Sequence, residues 1–397
     1  SDVCSSDLLL LLMLITALMA GCGQKKVTGD MTVQSYMPDN AVIAHRGTIY
    51  WAPELTEAAF RWARNTGADY MELDVHRTKD SVLVIMHDKS FKRTTDVADR
   101  FPGREDDPVS SFTWEEIMQL DAGSAFNAKN PERARESFKG LDVLVFEDVF
   151  RIAEGKKIKR DEDGNRLVSR DDSGTYHFEY EPDPADNGHR PGIYIEVKIS
   201  EQYPGIEEQI YDELTRMGWN PLEGEEIRAD IPFWSGDRVN VGNTRGKILV
   251  QTFSRDGMMN LKRVFDGKVL ASFLKGNPKS NEFAREEVTD EIIAFAKECG
   301  AQFIGTNLGD ENDGLSPAFA GKIHAAGLKA NIYSINTVEQ MEKYFGPGQG
   351  RKASPLADGM ITNRTDLTVD FYHERKVRSY GTEATPNEIL TDLGYAE

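Results

Sequence analysis

Tyr70-Met71-Glu72-Leu73-Asp74-Val75 and Val82-Leu83-Val84-Ile85-Met86 are two apolar-rich runs separated only by a short polar stretch through Lys79, Asp80 and Ser81. Both read as strands. A link this short cannot carry a parallel crossover, so residues 70–87 are expected to form a hairpin whose second arm returns antiparallel beside the first. Further strands are expected at 41–44, 193–197, 248–252, 269–273, 303–305, 330–333 and 359–362. Helical spacing separates most of them, at 54–65, 205–217, 258–265, 290–299, 317–326 and 338–345. Strands alternating with helices imply parallel βαβ units. With the antiparallel arm set aside, eight parallel strands remain, the number that closes a barrel. The fold class read here is therefore α/β, a (β/α)8 TIM barrel with an antiparallel hairpin arm. A doubly wound open sheet would want a Gly-rich phosphate loop after its first strand, and Arg46-Gly47-Thr48 is not one.

A long insertion, residues 88–191, precedes the strand carrying Glu196. Helices are expected there at Trp114–Leu120, capped by Ser111 or Thr113, and at Leu144–Glu154. Its second half holds Asp161-Glu162-Asp163-Gly164 and Asp171-Asp172-Ser173-Gly174. Neither run continues into a calcium loop with its distal Glu, so both read as solvated turns. The barrel is expected to span 41–372, with 373–397 as a C-terminal tail.

The 397 residues are 39% hydrophobic and 28% charged, enough apolar material for a full core. A formal net charge of −19 disfavours nucleic acid and anionic membrane surfaces as partners. An anionic substrate would need a locally positive site. The three cysteines, Cys4, Cys22 and Cys299, form neither a disulfide framework nor a zinc spacing, and Cys299 reads as a buried helix thiol.

Residues Leu8 to Met19 are almost wholly apolar, too short for a comfortable membrane span, and run into Met19-Ala20-Gly21-Cys22. That pattern looks like a bacterial lipoprotein signal over residues 1–22, with Cys22 as the lipidated residue. Residues 23–40 then read as a tether, and the expected location is the bacterial cell envelope, on its periplasmic or extracellular face, held to the membrane by the lipid. Ser-Asp-Val-Cys-Ser-Ser-Asp-Leu at residues 1–8 resembles a translated sequencing adapter, so the natural start is expected to differ there.

The chemistry is legible in parity. Side chains two apart on a strand share a face, which pairs Glu72 with Asp74 and Glu196 with Lys198 near strand ends. Buried charges on strands need partners or a metal, and C-terminal strand ends form a barrel's active-site mouth. Oxygen ligands from Glu72, Asp74 and Glu196 suit Ca²⁺ or Mg²⁺ rather than zinc, unless these acids simply pair with Lys198, Arg46 or Arg77. His45 ends the first strand and His87 ends the hairpin arm, placed across from about Glu72 if the turn centres near Lys79 and Asp80. Two imidazoles at such a mouth suit general acid and base roles. Arg46 and Lys198 can hold a phosphoryl oxygen.

Together these segments closely resemble the glycerophosphodiester phosphodiesterase family. The likeness rests on His45-Arg46-Gly47, Pro53-Glu54 with Thr56, Gly67 to Val75, Thr78-Lys79-Asp80, Val84 to Asp88, Arg93-Thr94-Thr95 and Glu196-Val197-Lys198. Weaker matches run through Gln251-Thr252-Phe253 and Asp358 to Thr362, and Thr95 to Pro102 looks like the periplasmic bacterial branch. The resemblance implies a divalent cation on Glu72, Asp74 and Glu196, His45 and His87 as general acid and base, and Arg46 and Lys198 on phosphate. It also implies glycerophosphodiester substrates, with glycerol 3-phosphate and an alcohol as products. Leu55, Tyr333 and Asn363-Arg364-Thr365 depart from the family's usual Asn, Trp and Asp-Arg-Pro, which bears on headgroup preference, and Tyr50 and Trp51 are expected to form an aromatic wall near the substrate. Two other readings are a phospholipase D-like enzyme acting on lysolipids or sphingolipids, and a lipoprotein that binds glycerophosphodiesters without cleaving them.

Overall fold

A computed structural model of the chain describes residues 37–223, 234–235, 238–276, 288–309, 314–345 and 356–396. The lipoprotein segment, Cys22 and nearly all of the tether lie outside the described residues. Among the described residues no helix is long and apolar enough to cross a membrane.

The strands in chain order are β1 (Ala41–Ala44), β2 (Tyr70–Arg77), β3 (Leu83–Ile85), β4 (Lys156–Ile158), β5 (Val168–Arg170), β6 (Tyr176–Phe178), β7 (Tyr180–Pro182), β8 (Gly192–Val197), β9 (Trp234–Ser235), β10 (Arg238–Val239), β11 (Ile248–Thr252), β12 (Leu270–Leu274), β13 (Phe303–Asn307), β14 (Lys329–Tyr333) and β15 (Gly359–Thr362). The large sheet runs β1-β15-β14-β13-β12-β11-β8-β2, and β1 also pairs with β2. That pairing closes eight parallel strands into the expected barrel.

Parity decides the two faces. Val42, Met71, Leu73, Ile193, Ile195, Val250, Ile304, Ala330 and Met360 belong to the apolar layer shared with the surrounding helices. Ala41, Ile43, Tyr70, Tyr194, Leu249, Leu270, Phe303 and Ile361 form a second cluster that fills the barrel's lower interior. Two residues further along the same inward rows stand Glu72, Glu196, Gln251 and Ser272, all buried. The interior is thus apolar at the bottom and polar at the mouth.

The hairpin arm solves a geometric problem. β2 gives its first residues to β1, through Ile43↔Tyr70 and Ala44↔Met71, and its last to β3, through Val75↔Ile85, His76↔Val84 and Arg77↔Leu83. β3 therefore takes over the edge of β2 just where β1 stops and, being antiparallel, runs back down toward the mouth. The turn centres on Asp80. This register sets Met86, whose N–H donates to the Asp74 carbonyl at 3.0 Å, across from Asp74, so His87 falls opposite Leu73, one residue from the position expected.

The helix Glu57–Thr66 starts at Thr56, whose hydroxyl accepts from the Ala59 N–H, and ends at Gly67 with φ 96°. In the insertion, Thr113 is the cap, forming a reciprocal capping box with Glu116, and the helix is only Trp114–Ile117. The next helix begins at Phe146 rather than Leu144, because Val145 is held in an antiparallel bridge to Val84 of the arm. Val84, Met86, Phe91, Phe112, Trp114 and Val145 belong to a small separate core under the insertion.

The two acidic runs are exposed turns as expected, closed by Gly164 N–H to the Asp161 carbonyl and Gly174 N–H to the Asp171 carbonyl. Around them stand antiparallel ribbons that were not foreseen, β4 with β7 and β5 with β6. Charge hid them in the sequence, since the exposed rows carry Lys157–Glu181 and Lys159–Glu179 ion pairs. The segment beyond 372 is ordered: a helix at Pro386–Asp392 packs on Glu57–Thr66, the Trp62 indole donates to the Pro386 carbonyl at 3.3 Å, and Tyr395 is buried.

Candidate active site

The metal-type cluster is assembled by strand register. β2 and β8 pair in parallel with Asp74 directly beside Glu196, and Glu72 lies two residues back on the same row. One carboxylate oxygen from each of Glu72, Asp74 and Glu196 lies within 4.8 Å of the others, and all three residues are buried. Lys198, further along the β8 row, donates from Nζ to Glu196 Oε1 at 2.7 Å and stands 3.6 Å from Asp74 Oδ1. Arg46 donates its backbone N–H to Glu72 Oε2 at 2.8 Å, with its Nε 3.4 Å from Asp74 Oδ2.

Three carboxylates face two cations, and their protonation shows the imbalance. Burial, then the charges of Asp74 and Glu196, push the Glu72 carboxyl well above the usual range. Burial and Asp74 also raise Glu196, against the pull of Lys198. Burial opposes ionisation of Asp74 too, but His87, Lys198, Arg46 and His45 outweigh it and hold Asp74 at about 2. Among the described residues, Asp74 Oδ2 and Gln251 Oε1 are buried without a hydrogen-bond partner. Crowded carboxylates, orphan oxygens and an all-oxygen donor set fit a hard divalent cation.

His45 follows β1 directly, anchored by its N–H to the Thr362 carbonyl at 2.9 Å. Its Nδ1 is 2.7 Å from Asn363 Oδ1, one residue past β15. Burial and the neighbouring Arg46 push its imidazole down to about 3. His87, two residues past β3, has its Nδ1 2.6 Å from Asp88 Oδ1. The charges of both imidazoles are among those that lower the Asp74 carboxyl.

Three residues that carried no role in the sequence reading tie the site together. Arg93 donates to both oxygens of Glu54 at 2.7 Å and to Asp88 at 2.6 and 3.0 Å. Glu54 also accepts from Arg46 at 2.9 Å. A continuous chain thus runs His87–Asp88–Arg93–Glu54–Arg46–Glu72. Despite burial, the hydrogen bonds from Arg93 and the charge of Arg46 hold Glu54 at about 2. Their signal in the sequence was membership of the motifs Pro53-Glu54, Val84 to Asp88 and Arg93-Thr94-Thr95, which carry the family resemblance but name no role for these side chains.

Arg46, Leu55 and Ile199 all have positive φ, at 53°, 57° and 46°. Non-glycine residues pay for that conformation, and Leu55 occupies a position where Asn, which tolerates it better, is usual in the family. The expected aromatic wall is altered: the guanidinium groups of Arg133 and Arg364 lie 3.9 and 4.3 Å from the Tyr50 ring centre, and Trp51 Nε1 donates to Asp366 at 3.1 Å.

A closed (β/α)8 barrel with titratable side chains converging at its C-terminal mouth defines the molecule as a barrel enzyme. The profile of the Glycerophosphoryl diester phosphodiesterase family matches residues 45–168, the stretch holding both histidines, Glu72 and Asp74. The glycerophosphodiester phosphodiesterase of Bacillus subtilis strain 168 is 25% identical over 331 residues, 83% of this chain and 86% of that protein. That of Caldanaerobacter subterraneus subsp. tengcongensis is 42% identical over 111 residues, 28% of this chain and 39% of that protein. An Oleispira antarctica phosphodiesterase, solved in complex with the product sn-glycerol-3-phosphate, shares the fold with a TM-score of 0.53 at 18% identity, over 88% of this chain and 98% of that one. Over most of its length the chain is thus similar in sequence to a glycerophosphodiester phosphodiesterase, and its first half carries that family's profile.

Proposed function

We propose that the chain hydrolyses glycerophosphodiesters to glycerol 3-phosphate and an alcohol, with Glu72, Asp74 and Glu196 holding Ca²⁺ or Mg²⁺. The observation that carries this reading is the buried trio of carboxylates, with oxygens within 4.8 Å of one another, set between two histidines at the barrel mouth. A bound divalent cation would supply Lewis-acid polarisation of the phosphoryl and attacking oxygens. Arg46 and Lys198 hold the non-bridging oxygens and offset their charge as the transition state forms. One of His45 and His87 takes the proton of the attacking oxygen, either water or a glycerol hydroxyl that first closes a cyclic phosphate. The other gives a proton to the departing alkoxide. Asn363 and Asp88 hold the two rings through Nδ1.

The test is a substrate panel assayed with purified protein, with Ca²⁺, with Mg²⁺ and with chelator. Glycerol 3-phosphate release that chelation abolishes is expected. Binding of glycerophosphodiesters with no release under metal-replete conditions refutes catalysis and leaves a binding lipoprotein. Turnover of lysophosphatidylcholine in preference to glycerophosphocholine moves the assignment to phospholipase action. The apolar run before Cys22 supports lipid anchoring to the cell envelope, on its periplasmic or extracellular face. Membrane recovery that survives Cys22→Ser refutes that anchor.

A further inference from the structure

The geometry points to a headgroup subsite beside Arg46 that selects glycerophosphodiesters whose alcohol carries an anionic group of its own. The inference rests on the phosphodiesterase reading above and adds to it the class of substrate.

A cavity of about 180 Å³ lies between the turn after β1 and the insertion helix Ser124–Lys129. Arg46, the proposed phosphate contact, forms part of its wall, so a group attached to the bound phosphate can enter it. Two of its cations are already paired, Arg46 with Glu54 and Asp74 and Arg93 with Glu54 and Asp88. Arg46, Arg93 and Lys129 line it against a single carboxylate, Glu54. Both oxygens of Glu54 already accept from Arg93, and one also accepts from Arg46, so the acid has little left to offer a cationic ligand.

Lys129 is different. It ends its helix, is exposed, and has no carboxylate partner among the described residues. An uncharged glycerol in this cavity would leave its ammonium without a counter-charge, whereas a carboxylate or second phosphate would pair with it. The surroundings also disfavour quaternary ammonium groups, which bind over open aromatic faces. Tyr50, next to the cavity-lining Ile49, has two guanidinium groups stacked over its ring. The mouth therefore repels a cationic headgroup on the side where an aromatic cage would have attracted one.

Glycerophosphoserine and glycerophosphoethanolamine differ by one carboxylate and isolate the effect. With metal-replete protein, kcat/KM for glycerol 3-phosphate release is measured on both, for wild type, Lys129→Gln and Lys129→Glu. Wild type should prefer the serine diester, and that preference should fall about fivefold in Lys129→Gln, the effect of one partly exposed ion pair. Lys129→Glu should lower it further, and added salt should weaken the wild-type preference. Cleavage of both diesters with a preference that moves by less than about twofold in the two variants overturns the subsite while leaving the phosphodiesterase reading intact. Release of glycerol 3-phosphate from neither diester removes both.

Discussion

Gly47→Ala tests whether the turn after β1 aims the site or merely connects it to a helix. Gly47 has φ 75°, and an added Cβ would lie 2.7 Å from the carbonyl carbon, 2.9 Å from the carbonyl oxygen and 2.9 Å from the Cβ of Ala59. Those atoms belong to the helix Glu57–Thr66, whose backbone cannot rotate away as a flexible side chain could. The left-handed conformation costs a non-glycine residue about 1–2 kcal/mol, and relieving the clash by shifting packed backbone costs about 1–3 kcal/mol. Together they predict a loss of about 2–5 kcal/mol. At about 2 °C per kcal/mol for a chain of this size, Tm should fall by about 4–10 °C in thermal unfolding followed by circular dichroism. The neighbouring residue is Arg46, whose N–H holds Glu72, so a displaced turn should also lower kcat/KM by about tenfold or more. Gly321→Ala is the matched control. It lies within the helix Pro317–Ala325 with nothing within 4 Å of its added Cβ, and should gain about 0.5–1 kcal/mol. A Gly47→Ala protein with wild-type Tm and wild-type kcat/KM would refute the reasoning.

His45→Ala and His87→Ala should each lose about 10²–10⁴ in turnover while retaining Tm and cation binding by titration calorimetry; Glu72→Ala should instead lose the cation, and unchanged activity in any of the three breaks the assignment. Glu54→Gln should lower kcat/KM by about 10–100-fold, from a lost charge-assisted contact to Arg46 and Arg93, with circular dichroism unaltered; wild-type kinetics would show that the Glu54 bridge is idle. Asp183 accepts from Arg61 and Arg64 with its side chain fully buried, and breaking such a pair costs about 3–5 kcal/mol. Despite burial, those two arginines hold Asp183 at about 2, below the ordinary carboxylate range. Its stabilisation is therefore complete above about pH 4 and lost as pH falls toward 2. The stability gap between wild type and Asp183→Asn in denaturant titrations should close on acidification, and a gap constant with pH would refute that account.

The barrel and its arm were legible because strand periodicity, helix caps and a link too short for a crossover are local signals. The carboxylate cluster was legible for the same reason: Glu72, Asp74 and Glu196 announce themselves by interrupting apolar rows at fixed parity. What escaped depends on distance along the chain. Glu54 meets Arg93 across 39 residues and Arg61 meets Asp183 across 122, and no periodicity encodes such a pairing. The ribbons of 156–182 were missed because their exposed rows are charged on both arms, so alternation carried no hydrophobic contrast. The helix Pro386–Asp392 has a local signal, the capping box of Thr385 and Glu388 with Pro386 at its first position, but at 7 residues it is too short for periodicity to announce its packing on Glu57–Thr66.

The hairpin arm bears on how such an enzyme can be inherited or rebuilt. His45 is a property of the barrel, but His87 is delivered by β3, whose position depends on Val84 and Met86 packing with Phe91, Trp114 and Val145 in the small second core. Half of the proposed acid–base pair thus travels with the insertion. Grafting the eight strands alone onto another scaffold would carry over the carboxylates without that histidine, and recombination between relatives would preserve the pair only at crossover points outside the stretch from Thr78 to Val145.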